Sequence, residues 1–282
     1  MYKHNIYFLI GAPRSGSTYL YNILKQNKKI NVLPKENHFF LSSTKIFGGI
    51  NYFDSPKYYL KTSIKYYLQK LSLKKINYDI NTLYFYDLKA LKLIKKKFPN
   101  SKFFCVLRNP VDRHYSHSLT QIKKYYYYRD RGDFKFSIED FCDIKKGSLF
   151  ENHFLSCSNY FFYKNLLKNN KIRCKYFSYE YLFSKKNNYL KFLKEIKVKN
   201  LINLKSDKHS NKNYPYKFYR QTYISKIRNF LFEKYYRKKI DETLLNFKKN
   251  YPYNNMIKLF KTKKEKNLKN LKKYLDKINL KN

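Results

Sequence analysis

Tryptophan is absent from this sequence, and glycine and proline are scarce, 6 and 7 among 282 residues. No Gly/Ser linker and no internal repeat divides the chain, so a single domain spanning residues 1–282 is expected. No apolar run approaches the ~18 residues that a membrane span needs; the longest early run, Ile6 to Ile10, is of strand length. There is no secretory signal pattern, and the chain starts almost directly on its first strand. The expectation is a cytoplasmic enzyme or a fragment lacking its anchor. The four cysteines, Cys105, Cys142, Cys157 and Cys174, form no CxxC pair, which argues against a zinc ribbon. Cys105 and Cys174 lie in apolar strand-like segments and are expected to be buried thiols. A Cys142–Cys157 bridge stays open.

Acidic residues are also few: 19 Asp plus Glu against 62 Lys plus Arg, a formal net charge of +43. Such a field attracts anions of any kind, from nucleic acid to nucleotides, anionic lipids and acidic glycans. The basic residues are spread along the whole chain, and Lys, Asn, Tyr, Ile and Phe are all abundant, as an AT-rich coding sequence would produce. Net charge therefore does not name the partner. The aromatic run Tyr125 to Tyr128 reads in the same way, as a helix end. Apolar residues make up 43%, enough for a core.

Asn5 to Ile10 is apolar and β-prone, and it runs into a loop with glycines at 11 and 16. Thr18 to Gln26 then shows helical spacing, with Leu20, Ile23 and Leu24 on one face. This strand–loop–helix unit opens a parallel α/β sheet. A second unit begins at Lys102 to Leu107, with Pro110 where a helix can start and helical spacing to about Lys124. Ile172 to Phe177 is a third strand, preceded by a helix over Tyr160–Leu167 and followed by one over Tyr189–Ile196. All three strands are almost continuously apolar, as strands buried on both faces are. Tyr219 to Phe247 and Glu265 to Ile278 read as helices. The fold class is α/β: a three-layer P-loop-type fold with a central parallel sheet flanked by helices.

Gly11-Ala12-Pro13-Arg14-Ser15-Gly16-Ser17-Thr18 has the glycine spacing of a phosphate loop. In such a loop several N–H groups meet one anion, and the following helix start adds its partial positive charge. Glycine lets the backbone come close. Ser17 occupies the slot where a nucleotide triphosphatase has lysine. Arg14 supplies a cation in mid-loop instead, which fits a single terminal phosphoryl group carrying one further charged unit. A second anion site is read at Leu107-Arg108-Asn109-Pro110-Val111-Asp112-Arg113-His114-Tyr115-Ser116. Arg108 ends a buried strand, where open α/β sheets bind ligands. Ser116 lies two turns into the helix, and a planar guanidinium with a hydroxyl makes a phosphate clamp. Arg113 follows Asp112 in the first turn and is read as capping the sheet edge or pairing locally, not as a ligand.

Together, in this order, GAPRSGSTYL and FFCVLRNPVDRHYSH resemble the PAPS-dependent sulfotransferases, closest to the carbohydrate, heparan-sulfate type and its bacterial relatives. The resemblance extends more weakly through Lys35-Glu36-Asn37-His38-Phe39-Phe40, Gly49-Ile50-Asn51-Tyr52-Phe53, Tyr84-Phe85-Tyr86-Asp87 and Ser178-Tyr179-Glu180-Tyr181-Leu182. It implies that Pro13, Arg14, Ser15, Gly16, Ser17 and Thr18 bind the 5′-phosphosulfate of PAPS. It implies that Arg108 and Ser116 bind the 3′-phosphate of PAPS or its product PAP. Glu36 is implied as the base, Arg14 as the cation at the bridging and sulfuryl oxygens, and His38 as a group orienting Glu36 or touching the acceptor. A third cofactor contact is implied for the polar loop 207–213, at Asn211 and Lys212. No metal is called for. The acceptor would be a hydroxyl compound such as a glycan, and no nucleic-acid partner is expected. Asp79-Ile80-Asn81-Thr82 departs from the heparan-type pattern, with Ile80 where a lysine helps with sulfate or substrate.

Two rivals are weighed. A P-loop kinase or NTPase predicts Lys at 17 and an acidic metal ligand ending a strand; the sequence has Ser17 and Arg108. A basic nucleic-acid-binding protein is compatible with the charge but leaves the two ordered anion motifs unexplained.

Overall fold

The computed structural model describes residues 2, 4–42, 64–110, 112–117, 157, 158, 160–198 and 223–250. These residues fall into two compact units with a boundary after Asn109. The first holds the strands and the helices against them, and the second holds segments 110–117, 157–158 and 223–250. The expected elements at 118–124 and Glu265–Ile278, the aromatic run at 125–128, the stretch 49–53, Cys142 and the loop 207–213 lie outside the described residues.

The first unit is built on five parallel strands: β1 (Ile6–Gly11), β2 (Ile30–Val32), β3 (Ile76–Ile80), β4 (Lys102–Leu107) and β5 (Cys174–Ser178). Their order across the sheet is β2-β3-β1-β4-β5. Every residue of β1 is buried, as its apolar run requires for a strand covered on both faces. The chain builds β2 and β3 on one side of β1 and β4 and β5 on the other. The C-terminal end of β1 is therefore the point at which the winding reverses, the place where open α/β sheets bind ligands.

Helices α1 (Ser17–Gln26), α2 (Ile64–Gln69), α3 (Leu88–Lys97), α4 (Tyr160–Asn169), α5 (Tyr179–Ser184) and α6 (Lys186–Glu195) belong to this unit, with a 3₁₀ turn at Tyr84–Tyr86. Leu20, Ile23 and Leu24 of α1 are buried. They join Tyr7, Leu9, Tyr78, Phe104, Val106, Phe192 and Leu193 in a hydrophobic core. Aromatic rings run across this core, with Tyr7 stacked on Phe104 at 5.6 Å and on Tyr78 at 5.3 Å between centroids. α3 is started by Asp87, whose carboxylate accepts from Ala90 N–H at 3.0 Å, the usual role of aspartate at an N-cap. Cys105 is buried and free, and burial pushes its thiol up. Cys174 is free and only half-buried, because it opens a strand at the sheet edge.

In the second unit Arg113 is wholly buried and its guanidinium donates to Ser158 Oγ at 3.1 Å. The helical segment 112–117 turns it inward. The long helix α7 (Tyr223–Asn250) buries Tyr236, Ile240 and Thr243 along one stripe. Its Asp241 bonds the Tyr115 hydroxyl. No helix among the described residues is long and apolar enough to cross a membrane.

Candidate active site

The loop after β1 is fastened to the neighbouring strand: Ala12 N–H donates to Val106 O at 2.6 Å, and Ser15 N–H returns to Ala12 O at 3.3 Å. Gly16 is the cap residue of α1, with φ 82°. A Cβ there would lie 3.0 Å from Phe183 Cε2 and 3.2 Å from Tyr179 Cε2. Both the left-handed backbone and the aromatic wall thus require glycine. Gly11 is required for a different reason: its Cβ would fall 2.7 Å from Phe85 Cβ, so packing beneath the 3₁₀ turn, rather than ligand approach, selects it. Gly16 has no side chain to cap α1, and the first-turn amides of a helix have no intrahelical acceptor. The Ser15 hydroxyl, 1% exposed, has no hydrogen-bond partner among the described residues.

At the end of β4, the Arg108 guanidinium donates to Arg14 O at 3.3 Å and stands 4.8 Å from the Tyr179 ring centre. Asn109 N–H donates to Glu180 Oε1 at 2.7 Å, and the other oxygen of Glu180 accepts from Ser178 Oγ at 3.0 Å. Ser178 also caps α5 by accepting from Tyr181 N–H. The Ser-Tyr-Glu segment after β5 therefore braces the end of β4.

On the other side of β1, Glu36 N–H donates to Ile80 O at 2.9 Å, the last residue of β3. The Glu36 carboxylate accepts twice from Thr82, from its N–H at 3.0 Å and from its hydroxyl at 2.9 Å. Lys35 Nζ lies 3.2 Å from Glu36 Oε1. His38 is 5% exposed, and its Nδ1 meets the Asn81 side-chain amide at 3.1–3.3 Å. Beneath them Asp79 is fully buried, accepting from Asn37 Nδ2 at 2.9 Å and from the Tyr67 hydroxyl at 2.8 Å. Burial is the main cause pushing its carboxyl up to about 7, with the nearby Glu36 adding to it, while the bonds from Asn37 and Tyr67 pull the other way. The Ile80 side chain is fully buried, so this position offers the sheet end no cation.

Among the described residues five that are not glycine have φ in the left-handed region: Arg14 (65°), Glu36 (53°), His38 (54°), Lys171 (56°) and Lys197 (63°). The two lysines end helices. Each shows the paired bonds of a Schellman cap, Ile172 N–H to Leu167 O and Lys171 N–H to Lys168 O, then Val198 N–H to Leu193 O and Lys197 N–H to Lys194 O. The other three end no helix and are the three residues for which the resemblance implies catalytic roles. A left-handed non-glycine residue costs on the order of 1–3 kcal/mol, and such outliers concentrate where a side chain must be aimed.

The strand order sets these groups in a row along the C-terminal edge of one sheet. Glu36 and His38 follow β2, Asn81 and Thr82 follow β3, Arg14 follows β1, and Arg108 follows β4. Three inter-strand steps of ~4.8 Å make the row roughly 14 Å long. Ser116 is half-exposed in the second unit; Asn211 and Lys212 are among the residues not described. Asn37 lies in the Lys35–Phe40 stretch and Asp79 and Thr82 in the segment 79–82, but nothing in the sequence singles them out or Tyr67 as supports of the site. A local signal of β3 is the alternation of polar Asn77 and Asp79 with apolar residues in what is a buried strand.

An α/β protein of the P-loop type, with its loop at the reversal point of a parallel sheet, is what this geometry defines. Residues 7–145 match the model of the sulfotransferase family. The crystal structure of a sulfotransferase from Alicyclobacillus acidocaldarius shares the fold, with a TM-score of 0.51 and 16% identity over 86% of this chain and 96% of that one. The sulfotransferase domain from the curacin biosynthetic pathway aligns more loosely, with a TM-score of 0.45 and 17% identity over 70% and 75%. No curated protein matches the sequence.

Proposed function

We propose that this protein moves the sulfuryl group of PAPS to an acceptor hydroxyl, on a carbohydrate, by in-line transfer with Glu36 as the base. The observation that carries this reading is the row of groups along the sheet edge: a held carboxylate at one end, a cation-bearing loop in the middle and a second arginine at the other.

In the proposed reaction the acceptor oxygen forms a bond to sulfur as the bond from sulfur to the bridging oxygen breaks. The leaving PAP takes the electron pair, and the acceptor proton goes to Glu36. A carboxylate offers about four acceptor sites. Thr82 and Lys35 take three of them, two on Oε1 and one on Oε2. Among the described residues the fourth, on Oε2, is left for the acceptor O–H. Arg14 stabilises charge growing on the bridging and sulfuryl oxygens, and such preorganised stabilisation is usually the largest contribution to a transfer of this kind. The loop amides and residues 13–18 hold the 5′ end. Arg108, aimed by Tyr179 and by Arg14 O, holds the 3′-phosphate; Ser116 is assigned with it on the resemblance, as are Asn211 and Lys212. His38, bonded to Asn81, is assigned on the resemblance to orient Glu36 or to touch the acceptor.

Incubation with PAPS labelled in the sulfuryl group and a panel of glycan, lipid-linked sugar, tyrosine-peptide and small-alcohol acceptors tests this directly. Transfer of label to a glycan hydroxyl is expected. Label moving only to a non-sugar acceptor would replace the acceptor class, and no transfer together with ATP turnover would replace the reaction.

A further inference from the structure

We propose that Asp79 is a positioning residue: from inside the sheet it fixes Asn37, and through Asn37 it holds Glu36 and His38 in their left-handed conformations. This rests on the reading of Glu36 as the base.

The path is continuous. Asp79 lies on β3, 0% exposed, and its two oxygens are divided between Asn37 Nδ2 and the Tyr67 hydroxyl. Asn37 is 8% exposed and stands between the two strained residues. Its own oxygen accepts from Phe39 N–H at 3.0 Å and from the Tyr84 hydroxyl at 3.2 Å. Tyr84 in turn accepts from Phe40 N–H at 3.2 Å. The side chain of Asn37 is thereby gripped from β3 and from the 3₁₀ turn at once. A rigid grip of this kind, on the residue between them, is what two left-handed residues need to be held.

A buried carboxylate is a costly way to build a grip. Glu36, Tyr67 and Tyr84 face Asp79 among the described residues, and no cation is among them. The folded state holds the Asp79 proton up to about pH 7, whereas an unfolded aspartate loses it near 3.9. A raised folded value means that stability is greatest below about pH 4 and is lost as pH rises to about 7, after which it is flat. The arrangement thus opposes stability at neutral pH, as a group serving a site is expected to do and a group serving only the fold is not.

The experiment compares Asp79→Leu, Asp79→Asn and Asn37→Ala with wild type in the full chain. Amide exchange at residues 36–41, urea midpoints at pH 5 and pH 8, PAP affinity, and PAPS turnover on whichever acceptor takes the label are measured. Asp79→Leu and Asn37→Ala should raise exchange at the Phe39 amide at least tenfold. They should lower kcat at least tenfold, with PAP affinity within threefold of wild type. Asp79→Asn, which still accepts from Asn37, should restore both to within about threefold and raise the urea midpoint at pH 8. If Asp79→Leu does not fold, Asn37→Ala decides. Wild-type exchange and turnover in Asn37→Ala would overturn the proposal, as would a fall in stability and kcat together in Asp79→Asn. Glu36→Gln is run beside them: full turnover there would remove the base reading and leave the exchange result to judge the positioning.

Discussion

The two sides of β1 are built from different materials. Toward β2 and β3 the sheet ends in bonded side chains: Thr82 holds Glu36, and beside them Asn37 is bonded to Asp79 and Tyr84, and Asp79 to Tyr67. Toward β4 and β5 it ends in backbone and cations: the loop amides, Arg14 and Arg108, with Tyr179 under one guanidinium and Glu180 bracing the strand end. The first side suits a group whose direction must be exact to within a few tenths of an ångström, a proton acceptor. The second suits a spread, highly charged ligand, for which field and amide donors matter more than one bond. The difference between the sides is a division of labour between taking a proton and holding an anion.

The sharpest way to break that division is Glu36→Gln. Loss of a general base typically slows turnover ~10²–10⁴-fold, so kcat should fall in that range while PAP affinity, measured by calorimetry, stays within a few-fold. Arg108→Ala is the reverse case. A charge-assisted hydrogen bond is worth about 1.5–3 kcal/mol, so PAP should bind roughly 10- to 100-fold more weakly. Gly16→Ala probes the loop itself. With φ at 82° and Phe183 3.0 Å from the new Cβ, it should cost on the order of 1–3 kcal/mol in urea unfolding and weaken PAP binding as well. Thr82→Val is the smallest change. It removes the hydroxyl donor to Glu36 Oε1 and keeps the amide donor to Oε2, so kcat should fall about 10-fold, the lower end of what a hydrogen bond to a charged group is worth.

The two sides are unequally legible in the sequence, for physical reasons. β1 and β4 are continuous apolar runs followed by local motifs, and both strands and both arginines were legible; the observed β1 is shifted by one residue from the expected one and β4 has the expected limits. The sequence pattern predicts three strands, and five are present among the described residues. β2 has only three residues. β3, Ile76–Ile80, carries Asn77 and Asp79, which break the apolar pattern of a buried strand. Those two residues are tolerated inside because each is bonded: the Asn77 side chain accepts from Asn31 Nδ2 and Ser72 N–H and donates to Ser72 O. α3 was not read either, since its run of lysines masks the buried stripe of Ala90, Leu91 and Ile94. Glu36 stood out only by resemblance, because its partner Thr82 is 46 residues away and no local spacing announces it.

The most direct measurement is the shift in melting temperature caused by PAP and by ATP in wild type, Glu36→Gln and Arg108→Ala. PAP should stabilise wild type and Glu36→Gln equally and Arg108→Ala far less, with ATP giving little in any of them. Stabilisation by ATP and not by PAP, or loss of the PAP effect in Glu36→Gln, would contradict the account.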